Sequence, residues 1–104
     1  MRFWNEYSGH SVRVSDERLA HLVGEHPEMA GQESLIEATL LNPDIVTQSD
    51  TDDQVKLYHR AISHPAVGQK YLVAVVKCIE DDWFLLTAHF TDKVKRGAIL
   101  WTKR

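Results

Sequence analysis

KYLVAVVKCIEDDWFLLTAHFT, residues 70–91, reads as two antiparallel strands closed by the acidic turn Glu80-Asp81-Asp82. Apolar and polar residues alternate through it with a period of two, which sorts the side chains onto two faces. Pairing across the turn sets Lys77 against Leu85, Val75 against Thr87 and Val73 against His89. On the opposite side Leu72, Ala74, Val76 and Cys78 meet Phe84, Leu86, Ala88 and Phe90, an apolar surface that belongs in a core. The first face carries Tyr71, Lys77, Thr87, His89 and Thr91 among smaller apolar residues. That is the composition of a sheet surface left open for a polar ligand.

The neighbouring elements extend this sheet. From about Gln54 to Ile62, Val55, Leu57 and Ala61 alternate with Lys56, Tyr58 and Arg60. Burying the apolar set sends Lys56, Tyr58 and Arg60 to the open face, beside Lys77, Thr87 and His89. His59 then falls on the core side, as a structural histidine or an edge residue. A further strand is expected from about Asp44 to Gln48, a short fifth segment at Ala98 to Trp101, and a short N-terminal hairpin from RFWNEY and SVRV.

Two helices precede the main sheet. Ser15 before Asp16-Glu17 suits an N-cap followed by acids at the positive end of a helix dipole, which places one helix at about Asp16 to Glu25. At ~100° per residue, Leu19, Leu22, Val23 and His26 form its buried stripe, and Pro27 stops it because the residue before proline avoids the α region. His26 therefore sits at a helix C-terminus. A second helix, about Gln32 to Leu41, buries Leu35, Ile36 and Leu40 and ends at Asn42-Pro43. The expected architecture is a single α+β domain over residues 1–104: two N-terminal helices on an antiparallel sheet of four or more strands, with one open face.

Composition narrows the function classes. The chain is 43% hydrophobic and 26% charged, ordinary for a soluble globule, and no apolar run approaches the ~20 residues that span a bilayer. The start lacks a charged region followed by an apolar one, so a cytoplasmic protein without membrane association is expected. The single cysteine, Cys78, falls on the core face and reads as a small buried hydrophobe. A formal net charge of −3 argues against a protein that simply coats nucleic acid. There is no C-x-x-C, no H-E-x-x-H, no glycine-rich phosphate loop and no G-x-S-x-G elbow, so neither a metal nor a cofactor is expected.

One family matches the order of short motifs. His26-Pro27-Glu28 ends a helix, Asn42-Pro43-Asp44 closes the next, Leu57 to Arg60 reads L-Y-H-R, and KYLVAVVK and L-L-T-A-H-F-T precede a basic tail. From about Val12 to Trp101 the chain resembles the phage-associated nuclease-like domains grouped with the Barnase, EndoU, colicin and RelE ribonucleases. The resemblance implies helices on a four-stranded antiparallel sheet, an RNA-cleaving site on the sheet and its helical rim, and a toxin or phage and conflict-system effector held by a small antitoxin or immunity-type partner. Two features depart from the pattern: His89 stands where an aromatic hydroxyl is expected, and the chain is acidic.

RNA cleavage without metal requires a base for the 2′-hydroxyl proton, an acid for the leaving 5′-oxygen and a cation at the phosphate. Histidine suits both proton roles near neutrality. His89 is the leading candidate, with Arg60 and Lys77 as phosphate partners, Arg60 ahead because a guanidinium grips phosphate bidentately. Thr87 is the hydrogen-bond donor. His26 reads either as a second catalytic imidazole, which the resemblance supports, or as a buried ring bonding helix-terminal carbonyls. His21 lies about 140° from His26 around the helix and reads as a rim candidate or a surface residue. Arg60 and Lys77 read equally as open-face solubility charges, and Tyr58 as cross-strand packing. The function expected is a metal-independent endoribonuclease acting on RNA. The alternative is a catalytically silent domain of the same fold that binds protein or nucleic acid.

Overall fold

The computed structural model describes residues 1–64 and 68–103. It begins with the hairpin, β1 (Arg2–Asn5) paired with β2 (Ser11–Val14). Helix α1 (Asp16–Glu25) starts at Ser15, whose hydroxyl accepts from the Arg18 N–H at 3.0 Å. It ends at His26, whose own N–H donates to the Leu22 carbonyl at 2.7 Å. A short 3-10 turn at Pro27–Met29 leads to α2 (Glu33–Leu41). Then come β3 (Ile45–Ser49), β4 (Val55–His64), β5 (Gly68–Ile79), β6 (Asp82–Thr91) and β7 (Gly97–Thr102). Among the described residues no helix is long and apolar enough to cross a membrane.

The strands form one sheet of seven in the order β1-β2-β6-β5-β4-β3-β7. It is larger than four strands and mixed, because β2 runs parallel to β6 through Val12–Trp83 and Arg13–Phe84. The helices follow the hairpin rather than opening the fold. A chain that enters as a hairpin and leaves through α1 can add its second strand to β6 in the parallel sense, a pairing that no local pattern encodes.

Both helices pack on one face. Leu19 and Leu22 of α1, Met29, and Ile36 and Leu40 of α2 are buried against Leu72, Ala74, Val76, Leu85 and Ala88. Removing each such large side chain from water contributes about 1.5–3 kcal/mol. Leu72, Ala74, Val76 and Ala88 lie where the alternation puts them. Phe84 and Leu86 do not: Trp83 and Leu85 take the core positions near the turn. The turn is tighter than expected, with Ile79 paired to Asp82 and Glu80 at φ 51°. This starts the register one residue off, so Lys77 faces Phe84 rather than Leu85. A bulge opposite Val75 and Val76, with Leu86 as the extra residue, restores it. From Thr87 onward every pairing is as the sequence implies.

Strand β4 is turned over relative to expectation. Tyr58 pairs with core-facing Ala74, so Lys56, Tyr58 and Arg60 lie on the helix face, and Val55, Leu57, His59 and Ala61 on the other. Partners decide this. The buried Tyr58 hydroxyl donates to the buried Glu6 carboxylate at 2.9 Å, Arg60 Nη1 donates to the Ala38 carbonyl near the end of α2 at 3.3 Å, and the Lys56 ammonium sits 4.3 Å from the Trp83 ring centre. Lys56 and Arg60 satisfy their heads at the rim of the core while their stems pack inside, and Tyr58 satisfies its hydroxyl within the core.

The second face is not simply open. To reach β3 at the far side of the sheet, residues 92–96 must cross β5 and β4, and the Lys95 N–H donates to His59 Nε2 at 2.9 Å. The crossover ends at Gly97, where φ is +146° and an added Cβ would lie 1.8 Å from the Gln48 carbonyl oxygen. Gly97→Ala should therefore break the start of the β3–β7 pairing and cost ~2 kcal/mol or more. Urea denaturation reads this directly, and an unchanged midpoint would mean that the strand end is not seated here.

Candidate active site

Cross-strand registers place the polar groups of the second face in rows. One row runs Thr87, Val75, Leu57, Thr47 from β6 to β3, and the next runs His89, Val73, His59, Ile45. Period-2 alternation puts them all on the side away from Ala88, Ala74 and Tyr58. His89 and Thr87 are thus where the sequence implies, half-buried rather than fully exposed.

His26 joins them. Its ring stacks on that of His89 with centroids 5.0 Å apart and planes 24° from parallel. Beyond Leu85 the outer edge of β6 has no strand partner among the described residues, and the turn after α1 packs there. The end of α1 therefore reaches round onto the second face. Glu28, two residues on, holds a carboxylate oxygen 3.7 Å from His26 Nδ1. The His-Pro-Glu sequence is what makes this possible: proline ends the helix, and the next carboxylate folds back beside the ring.

His89 is held neutral. Burial lowers its pKa below the ordinary 6.5, and the nearby Lys95 ammonium and the His26 and His59 rings lower it further against the opposing pull of Glu28. Its Nδ1, Thr87 Oγ1 and Thr47 Oγ1 are buried with no protein hydrogen-bond partner among the described residues. Each such group costs about 1–3 kcal/mol, a penalty that a polar ligand on this face would relieve.

His59 lies beneath them, fully buried. Its Nε2 accepts from Lys95 N–H, so Nδ1 carries the proton and donates to the Ile45 carbonyl at 3.3 Å. This neutral tautomer satisfies both nitrogens and ties the crossover to the sheet. Burial lowers the His59 pKa from 6.5, so protonation is disfavoured in the fold. The associated stability is complete above about pH 6.5 and is lost as pH falls from there toward the folded-state value. Unfolding free energy should decline with acidification through this window, less steeply in His59→Gln; equal slopes would remove His59 from that role.

The remaining candidates lie apart. Arg60 is on the helix face, separated from His89 by the sheet. Lys77 is on the correct face but ion-paired with Asp52, four residues along β5 from Val73, or about 13 Å. Its bond to Asp52 holds that carboxyl below the usual range. His21 is exposed, 3.5 Å from Glu25, and lines a shallow cleft with Ser15, Glu17 and Arg18 at the start of α1. None of Glu28, His59 and Lys95 was among the site candidates read from sequence: Glu28 entered only within the His26-Pro27-Glu28 motif, His59 as a structural or edge histidine, and Lys95 within the basic tail. Only Glu28 had a local signal, its place beside His26. Cys78 is half-buried, and burial pushes its thiol up to about 11. Among the described residues no group of three or more His, Cys, Asp or Glu side chains is arranged to hold a metal ion.

The fold is an α+β domain with both helices on one face of the sheet and the His26–His89 pair on the other. The chain matches the family described as phage-Barnase-EndoU-ColicinE5/D-RelE like nuclease2 over residues 1–102, and belongs to it. Comparison with curated proteins and with solved structures gave no match.

Proposed function

We propose that the protein is a metal-independent endoribonuclease that cleaves RNA by attack of the 2′-hydroxyl, with its site at the His26–His89 pair. The single observation that supports this reading is the stacking of two imidazoles beside unpartnered buried polar atoms. A neutral His89 takes the 2′-hydroxyl proton. His26, oriented by Glu28, gives a proton to the leaving 5′-oxygen. Lys95, close enough to act on His89 electrostatically, supplies positive charge where the phosphate becomes more anionic, and the Thr87 hydroxyl donates to a phosphoryl oxygen. Arg60 is not needed in this scheme, and Lys77 is too far along β5 to touch the same phosphate. The family supports a nucleic-acid substrate; a toxin-like role under a small inhibitory partner is the corresponding biological proposal.

The test is incubation of purified protein with total RNA in EDTA, followed by end analysis. New 2′,3′-cyclic phosphate termini support the mechanism. Intact RNA, with the protein folded, favours a silent binding domain instead. The pH profile carries a second expectation. Because the His89 pKa is depressed, the base stays deprotonated as pH falls to the ordinary histidine value, and the acid limb of kcat/KM should lie below about pH 6.5. An acid limb above that value would assign the base elsewhere.

A further inference from the structure

Past the row of His59, Val73 and His89, moving away from the β5–β6 turn, the next row is Ala61, Tyr71 and Thr91. Here a cleft of about 230 Å³ is lined by Ala61, Gln69, Lys70, Tyr71 and Asp92. The small Ala61 leaves room beside the Tyr71 ring. Gln69, two residues from Tyr71 on the same strand face, brings an amide that both donates and accepts. Asp92 brings a carboxylate, and its ion pair with Lys70 keeps it ionised by holding its pKa below the usual range.

Tyr71 is braced. Its ring meets the buried His59 ring edge-on, with centroids 6.3 Å apart and planes at 88°, and His59 is fixed by hydrogen bonds at both nitrogens. Tyr71 is only half-buried, so it offers an oriented aromatic surface at little further entropy cost. It lies diagonally from His89, displaced by two residues of strand, or about 7 Å. That displacement is on the scale of one nucleotide. Aromatic rings beside a nucleic-acid site bind unpaired bases by stacking, and the polar groups around the ring read the base edge.

We propose that this cleft seats the nucleobase adjacent to the scissile phosphate, stacked on Tyr71, with Gln69 and Asp92 setting which base is preferred. The inference rests on the ribonuclease reading above and adds its specificity element. A base held here fixes the ribose relative to His89, so recognition and positioning are one event.

The test uses nucleoside 3′-monophosphates of the four bases, with ribose 3-phosphate as the base-free control, titrated into the full chain and followed by amide chemical shifts. The nucleotides should bind about tenfold or more tighter than ribose 3-phosphate. Tyr71→Ala should remove most of that difference, whereas Tyr71→Phe, which keeps the ring, should retain it. Gln69→Ala and Asp92→Asn should narrow the spread among the four bases, and on RNA should flatten the cleavage pattern. Equal binding of ribose phosphate and nucleotides, or unchanged base dependence in Tyr71→Ala, overturns the proposal. The two readings separate cleanly. Base-selective binding without RNA cleavage keeps the cleft and rejects the nuclease, while cleavage whose pattern ignores Tyr71, Gln69 and Asp92 keeps the nuclease and rejects the cleft.

Discussion

His89→Ala is expected to lower RNA cleavage by ~10²-fold or more, the scale of losing an acid–base group, with little change in thermal stability. The substitution removes a half-buried ring whose Nδ1 has no protein partner, so the loss of packing is partly balanced by the loss of an unsatisfied group. His26→Ala should lower cleavage comparably, but should also cost ~1 kcal/mol, because this ring packs where α1 ends and covers His89. If the two imidazoles act on one phosphate, the double substitution should be scarcely worse in kcat/KM than either single one. Multiplicative losses would mean that they work independently. Arg60→Ala separates the faces. It should cost ~1 kcal/mol through the lost bond to Ala38 O, yet leave cleavage unchanged below the melting temperature. A large loss of cleavage in folded Arg60→Ala would move the site to the helix side of the sheet.

The second large effect concerns stability. Glu6→Ala should cost ~3 kcal/mol or more. The carboxylate is buried and accepts from Ser8 N–H at 2.7 Å, His10 N–H at 3.0 Å and the Tyr58 hydroxyl at 2.9 Å, with the Ser8 hydroxyl as a further donor. Removing it strands the fully buried Tyr58 hydroxyl, takes the shared acceptor from the Ser8 and His10 N–H groups that close the hairpin turn, and leaves a cavity in the core, which is how deletion of one member of a buried network becomes expensive. In a domain of this size, 3 kcal/mol lowers the melting temperature by ~12 °C or more. Tyr58→Phe removes a single donor and should cost about 1–2 kcal/mol. The Tyr58 hydroxyl remains a neutral donor, since burial and the neighbouring Glu6 push its pKa far above the usual value. Chemical denaturation of both variants checks the ranking; a Glu6→Ala cost below 1 kcal/mol would show that the hairpin is not pinned through this carboxylate.

What could be read from the chain depended on whether a residue's neighbours were close in sequence. The start of α1 was legible because Ser15, Asp16 and Glu17 cap it locally, and its end because Pro27 forbids continuation. The β5–β6 hairpin was legible from its alternation, and with it the faces of Thr87 and His89. The pairing nearest the turn was not, since a two-residue turn followed by a bulge at Leu86 leaves the period unchanged beyond it while altering it before.

The face of β4 was settled by distant partners. Both of its sides end up covered, one by the helices and the other by the crossover at Lys95, so alternation could not say which set faces the main core. Glu6, from the N-terminal hairpin, and the Ala38 carbonyl of α2 draw Tyr58 and Arg60 to the helix side. The same kind of long-range contact brings His26 onto His89. Sequence by itself determined the α+β class, the helix ends, the main hairpin and the sheet face on which His89 lies, because capping, proline geometry and period-2 alternation act between near neighbours. Tertiary structure alone decided the parallel β2–β6 pairing, the separation of Arg60 from His89 and the stacking of His26 on it, because these depend on which strand edges and helix ends meet once the core has closed.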